Sequence, residues 1–166
     1  MNNPYATPKA PVADPDQPDE RDVEYAGFWI RFLASVIDSI LTFAIVGPVL
    51  YWLYGKDYFL VAMGLQEADS FFAGPADPLL NYVLPAIAVV LFWIARQATP
   101  GKMALSIKIV DADSFGPLTK GQAIGRYLGY YLSIFGLFIG FLWVAFDPRK
   151  QGWHDKLART VVIKTH

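Results

Sequence analysis

The sequence predicts a mainly α-helical integral membrane protein with two full transmembrane helices, a third apolar segment and a small two-stranded β pairing. Two observations support this fold class. Of the 166 residues, 54% are hydrophobic and only 17% are charged, whereas soluble domains have roughly 45–50% apolar and about 25% charged residues. Three apolar runs, at about 28–54, 79–95 and 118–147, are separated by segments that carry charge.

Residues 1–26 are predicted to form a disordered N-terminal tail, and residues 27–166 the membrane domain. The tail contains five prolines, six acidic residues and two basic ones, with few bulky aliphatic side chains. Such a segment cannot bury enough apolar surface to offset the entropy lost on ordering. We expect a solvated spacer or, alternatively, a peptide that docks a soluble partner through Pro4, Tyr5 and Pro8.

The first two apolar runs are predicted to cross the bilayer completely. A hydrocarbon core of about 30 Å needs about 20 helical residues, and the run 28–54 is long enough. Trp29 and Trp52 lie roughly 34 Å apart on a helix axis, which suits two aromatic belts at opposite membrane interfaces. The run 79–95 carries no charge and is followed by Arg96. The lipid bilayer is therefore the first expected partner.

The distribution of basic residues predicts the orientation. The loop 55–78 holds one Lys and four acidic residues, while the stretches 96–126 and 147–166 hold five basic residues each. Because Lys and Arg concentrate in cytoplasmic loops, the first loop is expected outside. Both termini are then expected in the cytoplasm of a cell whose inner (plasma) membrane holds the protein.

The third apolar run is predicted to be a re-entrant helical hairpin. Short β-like segments at about 104–110 and 160–164 flank it, and neither is stable without a partner strand. If they pair with each other in the cytoplasm, both ends of 118–147 lie on one side of the membrane. The chain would turn near Ser133–Gly136, where irregular backbone must be buried in protein or face water. The alternative is a third full span that places the C-terminus outside.

Four polar residues form a stripe along one face of the first span. Ionisable side chains inside a span are rare and costly, so they are candidates for function. Asp38 lies about 10 Å deeper than Arg31 and is a candidate to bind a proton or a cation. A structural ion pair with Arg31, Arg96 or Arg126 is the competing interpretation. The stripe follows i, i+4, i+7 and i+11 spacing and consists of Arg31, Ser35, Asp38 and Thr42.

A second polar group lies within and after the third run and is a candidate for a gate or a structural pairing. Its members are Arg126, Asp147, His154 and Asp155. Arg126 begins the apolar part of the third run and suits pairing with an acidic residue. His154 beside Asp155 suggests a proton relay, but sequence neighbours do not face each other on a helix. A turn held by hydrogen bonds of Asp155 is the competing interpretation.

The residue inventory argues against several functional classes. The absence of Cys excludes disulfides, thiolate metal sites and thiol nucleophiles, and two His leave little for a metal, so no metal or cofactor is expected. The net charge of the chain is −1, whereas nucleic-acid-binding proteins usually carry an excess of basic residues. Asp38 has no second deep carboxylate for an aspartyl dyad, and no enzyme is predicted. Thr99-Pro100-Gly101-Lys102 departs from the phosphate-loop pattern and is predicted to be a turn.

Three motifs, taken in order, resemble the RDD family of bacterial membrane proteins across about residues 25–164. They are Gly27-Phe28-Trp29 with Arg31 and Asp38; Thr99-Pro100-Gly101-Lys102 followed by Ile107, Ile109, Val110 and Asp111; and Phe146-Asp147-Pro148-Arg149 through His154-Asp155, then Ala158 and Thr160-Val161-Val162. The resemblance implies an integral membrane protein. The family is named for one Arg and two Asp, which map to Arg31, Asp38 and either Asp155 or its rival Asp147.

The resemblance also implies a role in transport of an unidentified ligand, or in cation/proton exchange as for some members. For this chain we expect transport of a cation, a proton or a small ligand along the polar stripe. Two spans and one hairpin are too few to enclose a pathway, so a homo-oligomer is expected. The alternative is a non-transporting scaffold or assembly factor whose tail recruits a soluble partner.

Overall fold

The computed structural model describes residues 23–67, 73–136 and 138–165. Its first helix, α1, comprises Phe28–Ala62 and is interrupted at Gly55, where φ is 73° and ψ is −168°. Only glycine adopts such a backbone readily. After this break the chain folds back, so that the Phe59 ring lies 6.2 Å from Tyr51 and 6.3 Å from Phe43. The straight part of α1 is the predicted first span, 28–54.

The second span is confirmed and begins slightly before the predicted residue 79. Helix α2 comprises Ala76–Arg96 and is long and apolar enough to cross a membrane. It includes a π-helical stretch at Leu79–Val83. The helix ends because Gln97 adopts the left-handed conformation, with φ of 58°. A short helix follows, α3, at Pro100–Ala104.

Two antiparallel strands confirm the predicted β pairing. Strand β1, Ile107–Asp111, pairs with β2, Thr160–Lys164, so that Ile107 lies opposite Lys164 and Asp111 opposite Thr160. The β-branched side chains at their centre are fully buried, as strand propensity favours. The first strand begins about three residues later than predicted, since Pro100–Ala104 is helical.

The last four residues of the predicted tail are ordered along the other edge of β2. Tyr25 bridges to Ile163, and the Ala26 amide donates to the Val162 carbonyl at 2.8 Å. The Lys164 amide likewise donates to the Glu24 carbonyl. Residues 23–26 of the predicted tail therefore pair with the sheet, and the rest of that tail, residues 1–22, lies outside the described residues.

The third apolar run forms a bent pair of helices. Helix α4, Lys120–Phe135, and helix α5, Ile139–Ala145, meet at an angle of 114°. The bend lies just after the predicted turn at Ser133–Gly136. Both ends of the pair lie beside the end of β1, because Gln122 donates to Asp111 and Arg149 donates to the Ala112 carbonyl. This return to one side favours the hairpin over a third full span.

The spans present apolar side chains outward, and the buried core lies where they meet the sheet. Trp29 and Trp52 are 77% and 82% exposed, which suits contact with lipid at the two interfaces. The last helix, α6, is Trp153–Ala158 and packs on α4. Fully buried Ala34 of α1, Trp93 of α2 and Ala123 of α4 join the strands in one core cluster. We call this end of the spans the sheet side, and the opposite end the far side.

Candidate functional site

Asp155 lies at the centre of a buried ion-pair cluster on the sheet side. Its carboxylate accepts a hydrogen bond from Arg31 Nη1 at 2.6 Å and forms an ion pair with Arg126. The Gly152 amide donates to the same carboxylate at 2.9 Å, because Asp155 occupies the third position of α6 and caps its start. A single carboxylate thus joins α1, α4 and α6.

The two arginines have further partners that fix their positions. Arg31 Nε donates to the Ala26 carbonyl at 2.8 Å, and Arg126 Nη1 donates to Thr160 Oγ1 at 2.6 Å. The Arg126 guanidinium also lies 5.4 Å from the centre of the Trp93 ring, within the range of a cation–π contact. The cluster therefore ties the first span, the second span, the hairpin and β2 together.

The electrostatics of the cluster follow from burial and from the two guanidinium groups. Burial by itself would raise the pKa of Asp155, but nearby positive charge, above all that of Arg126, holds it well below its usual range. For His154, burial lowers the pKa to about 3, so the imidazole is neutral at pH 7. With His154 neutral, the two arginines and Asp155 carry a net charge of +1.

His154 is packed as a core ring and is not exposed as a proton relay would be. Its ring lies 4.4 Å from Tyr130 and 5.1 Å from Phe141, and Ser133 Oγ lies 3.4 Å from Nδ1. Gly129 permits this approach, since a Cβ there would lie 2.8 Å from His154 Cα. The geometry is that of the competing interpretation, a structural turn held by Asp155.

Asp38 forms a separate site, away from any arginine partner. Its two carboxylate oxygens accept hydrogen bonds from Thr99 Oγ1 and from the Gly101 amide, both at 2.6 Å. The carboxylate thereby satisfies one of the orphan backbone donors at the start of α3, the Gly101 amide. A Cβ at Gly101 would lie 2.1 Å from the Ala34 carbonyl oxygen, so only glycine allows α3 to approach α1 this closely.

A cavity of about 560 Å³ lies beside Asp38 and follows the polar stripe. Ser35, Asp38 and Thr42 line it along α1, Lys102 and Thr99 line it on the sheet side, and Tyr58 and Asn81 line it on the far side. The hydroxyls of Ser35 and Thr42 donate to carbonyls of their own helix, which leaves their lone pairs for a ligand. A second, mostly apolar cavity of about 340 Å³ between α1 and α2 also reaches Asp38.

The predicted residues therefore fall into three places. Arg31, Arg126, His154 and Asp155 come together, Asp38 lies with Ser35 and Thr42 at the cavity, and Asp147 forms an ion pair with Lys156. The grouping of Arg31 with the stripe is wrong in one respect, because its guanidinium pairs with Asp155 and not with Asp38.

Sequence reasoning missed the contacts that Thr99-Pro100-Gly101-Lys102 makes with Asp38 and the cavity. A loop of polar residues around Pro and Gly is typical of a simple turn, and so its partner in α1 was not evident. A Thr before a Pro that starts a helix was the available signal of a helix start. Among the described residues, no group of three His, Asp or Glu side chains is placed to hold a metal ion.

Fold and site together define a helical membrane protein whose spans meet at a buried Arg–Asp–Arg cluster, with a cavity beside it that is lined on one side by the polar stripe of α1. The chain belongs to the RDD family, which matches over residues 25–159. The resemblance of the three motifs is thus confirmed for almost the whole described chain.

Three bacterial proteins are similar to this chain over most of their own length. The uncharacterized protein RP437 of Rickettsia prowazekii is 27% identical over 88% of this chain and 99% of its own length. The uncharacterized protein YxaI of Bacillus subtilis is 31% identical over 83% of this chain and 96% of its own. The uncharacterized membrane protein YteJ of the same organism is 28% identical over 84% of this chain and 80% of its own length. No solved structure matches the chain.

Proposed function

We propose that this protein is a small transport protein that carries an ion or small polar solute through the cavity beside α1. One observation supports the proposal above the others: a cavity of about 560 Å³ is lined by Ser35, Asp38 and Thr42 along a span. Polar groups inside a span are costly unless they face protein or water. A solvated path along the stripe removes that cost.

Asp38 is the coupling carboxylate in this proposal. It reaches the cavity, and its partners are a hydroxyl and a backbone amide, which are not charged. A proton or a cation can therefore bind it without displacing an arginine. Among the described lining residues it is the sole carboxylate, so the proposal includes no aspartyl dyad and no catalytic step.

A homo-oligomer, in the simplest case a dimer, would complete the pathway. The described chain has two spans and one hairpin, which do not surround a solute on all sides. Symmetric pairing of two copies is the commonest way to close such an interface. Light scattering in a mild detergent measures the mass of the particle, and a strictly monomeric protein would contradict the proposal.

The inner (plasma) membrane, with the sheet side in the cytoplasm, is the proposed location. Basic residues concentrate on the sheet side, as at Lys102, Lys108 and Arg159, and cytoplasmic segments favour Lys and Arg. The chain has no Cys, so Ser114→Cys on the sheet side and Lys56→Cys on the far side can be labelled in intact cells. An impermeant thiol reagent is expected to label the Lys56 position only, and the reverse pattern would overturn the orientation.

Reconstitution into proteoliposomes tests transport directly. Wild-type protein is placed in vesicles that contain a pH dye, a proton gradient is imposed, and Na⁺, K⁺ or Li⁺ is added outside. We expect cation-dependent collapse of the gradient with wild type and its loss with Asp38→Asn. Asp57→Asn is the matched control, since Asp57 is an exposed carboxylate of the same helix.

Substitution of Thr42, whose hydroxyl lines the cavity, gives a second variant that is expected to keep the fold. Thr42→Val preserves shape and removes a hydroxyl whose described partner is the Asp38 carbonyl of its own helix. We expect slower flux at normal protein yield. Equal flux in wild type, Asp38→Asn and Thr42→Val would show that the cavity is not the path.

A scaffold role is a second candidate, supported by the way the tail is anchored. Because residues 23–26 lie along β2, the described chain begins at the sheet edge. The acidic, Pro-rich sequence that precedes residue 23 is a candidate to recruit a soluble partner. Deletion of residues 1–22 discriminates: a transporter keeps its flux, whereas a scaffold loses its partner in a pull-down.

A further inference from the structure

We infer that the sheet-side end of the cavity binds an oxyanion group of the solute, such as a carboxylate, with Lys102 as its cationic partner. The inference concerns the same cavity as the proposed function and names the chemical class of its ligand. It rests on the proposed function for the statement that the ligand is transported. The binding of the ligand can be measured separately, without any flux.

The position of Lys102 is the first argument. Its side chain lines the cavity and is only 8% exposed. Within the described residues it has neither an ion pair nor a side-chain hydrogen bond. Because this cation lines the cavity wall without a counter-ion of its own, a ligand that supplies an acceptor and a negative charge can pair with it there.

A buried donor in the cavity wall is the second argument. The indole Nε1 of Trp93, which also lines the cavity, is buried and has no acceptor in the described structure. Buried donors nearly always have partners in native proteins, so this group points to an acceptor from a ligand or from the water that it replaces. In the adjoining ion-pair cluster, Arg126 Nε and Arg31 Nη2 are also buried without an acceptor, but there the Asp155 Oδ1 atom, which forms the ion pair with Arg126, remains free to accept.

The balance of charge is the third argument. At the sheet-side wall of the cavity, the charges of Lys102 and Asp38 balance each other. The adjoining cluster of Arg31, Arg126 and Asp155 adds a net charge of +1 and meets the wall through the contact of Arg126 with Trp93. Asp77 is on the far side, roughly 24 Å from Trp93 along α2, and accepts hydrogen bonds from Tyr58 and Asn81 there. The excess positive charge at the sheet-side end favours an anion over a cation.

Ligand-induced stabilisation tests the inference on the full-length protein in detergent. The thermal midpoint is measured against sodium acetate, sodium sulfate and sodium phosphate, with sodium chloride at equal ionic strength as the reference. At least one oxyanion is expected to raise the midpoint saturably, by about 3–6 °C at ten times its half-saturating concentration. Mixed micelles with phosphatidylglycerol or phosphatidylcholine form a further arm, which distinguishes a lipid phosphate from a soluble anion.

Lys102→Met removes the ammonium and keeps the apolar stem, so it is expected to abolish the rise. Lys120→Met is the control, because Lys120 is exposed at the start of α4, and it is expected to behave as wild type. The inference is overturned if Lys102→Met keeps the rise, or if neither a soluble oxyanion nor the phosphatidylglycerol arm stabilises wild type beyond its reference.

Trp93→Phe covers the case in which Lys102→Met does not fold. It removes one donor and retains the ring, and the half-saturating anion concentration is expected to rise about 10-fold, as for a hydrogen bond to a charged group. An unchanged concentration would overturn the inference. If oxyanions bind in a Lys102-dependent way but no flux is measured, the anion subsite is supported and the transport proposal is overturned. If flux is measured but no oxyanion stabilises the protein, the transport proposal is supported and the anion subsite is overturned.

Discussion

Two aspartates of this protein occupy contrasting environments. Asp155 is fully buried and is held by two guanidinium groups and one amide. Asp38 is partly exposed to two cavities and is held by a hydroxyl and an amide. The comparison shows that the charge of its neighbouring groups determines whether a carboxylate in a membrane protein is available to a ligand. Charged partners lock Asp155 in place, while neutral partners leave the charge of Asp38 for a ligand.

The physical reason lies in the cost of desolvation. A carboxylate without solvent must be compensated by opposite charges at close range, and removing one partner then leaves an unpaired buried charge. A carboxylate at a cavity retains access to a polar medium, so it can exchange a proton or an ion. The first arrangement serves assembly of the spans, and the second serves binding.

The largest expected effect is that of removing the charge of Asp155. Asp155→Asn leaves Arg31 and Arg126 without their counter-ion and should cost about 3–5 kcal/mol of unfolding free energy. Chemical unfolding in detergent measures it. Lys156→Gln is the control, since its ion pair with Asp147 is 46% exposed on the Lys side, and it should cost below about 1 kcal/mol. A similar loss of unfolding free energy in the two variants would contradict the view that the buried ion pairs of Asp155 hold the spans together.

The second effect is a pH dependence from His154. The folded pKa of about 3 lies below the value of 6.5 in the unfolded chain, so the unfolded state binds more protons between these values. Stability should therefore fall as the pH drops below 6.5, by up to about 1.4 kcal/mol per unit. His154→Phe keeps a packed ring and should flatten this slope. An unchanged slope in unfolding measured from pH 7 to pH 5 would contradict the neutral, buried imidazole.

The third effect concerns the close approach of α3 to α1. Gly101→Ala places a methyl group against the Ala34 carbonyl and should cost about 1–3 kcal/mol, as overpacking does. Gly121→Ala is the matched control, because the nearest atom to its added Cβ is 4.0 Å away, and alanine there favours the helix. Equal thermal midpoints in the two variants would show that Asp38 is not held against α3.

The smallest expected effect on stability is that of Thr42→Val. Its hydroxyl bonds to a carbonyl of its own helix, which is already paired within the helix, so the unfolding free energy should change by less than about 0.5 kcal/mol. A change in flux without a change in stability would sharpen the distinction between binding and assembly. A large loss of stability would instead place Thr42 among the assembly residues.

Several features of the fold were predictable from the sequence because they depend on local composition. Uninterrupted apolar length determines where a helix can span a bilayer, and α1 and α2 follow it. The β-branched segment at 160–164 formed its strand, and the need for a partner strand predicted the hairpin. The stripe on α1 was also predictable, since helical periodicity alone places Ser35, Asp38 and Thr42 on one face.

The partners of the charged residues depended on tertiary structure. Arg31 is seven residues from Asp38 in sequence and 124 from Asp155, yet it pairs with Asp155. In the same way Asp38 meets Thr99 and Gly101, which follow the second span.

The sequence by itself thus determined the membrane class, the spans, the strand pairing and the positions of the polar groups. Which carboxylate is locked and which is available was decided by the packing of α3 and α6 against α1. Hydrophobic length and periodicity act along the chain, whereas an ion pair depends on which elements meet in space, and that is settled only when the spans assemble.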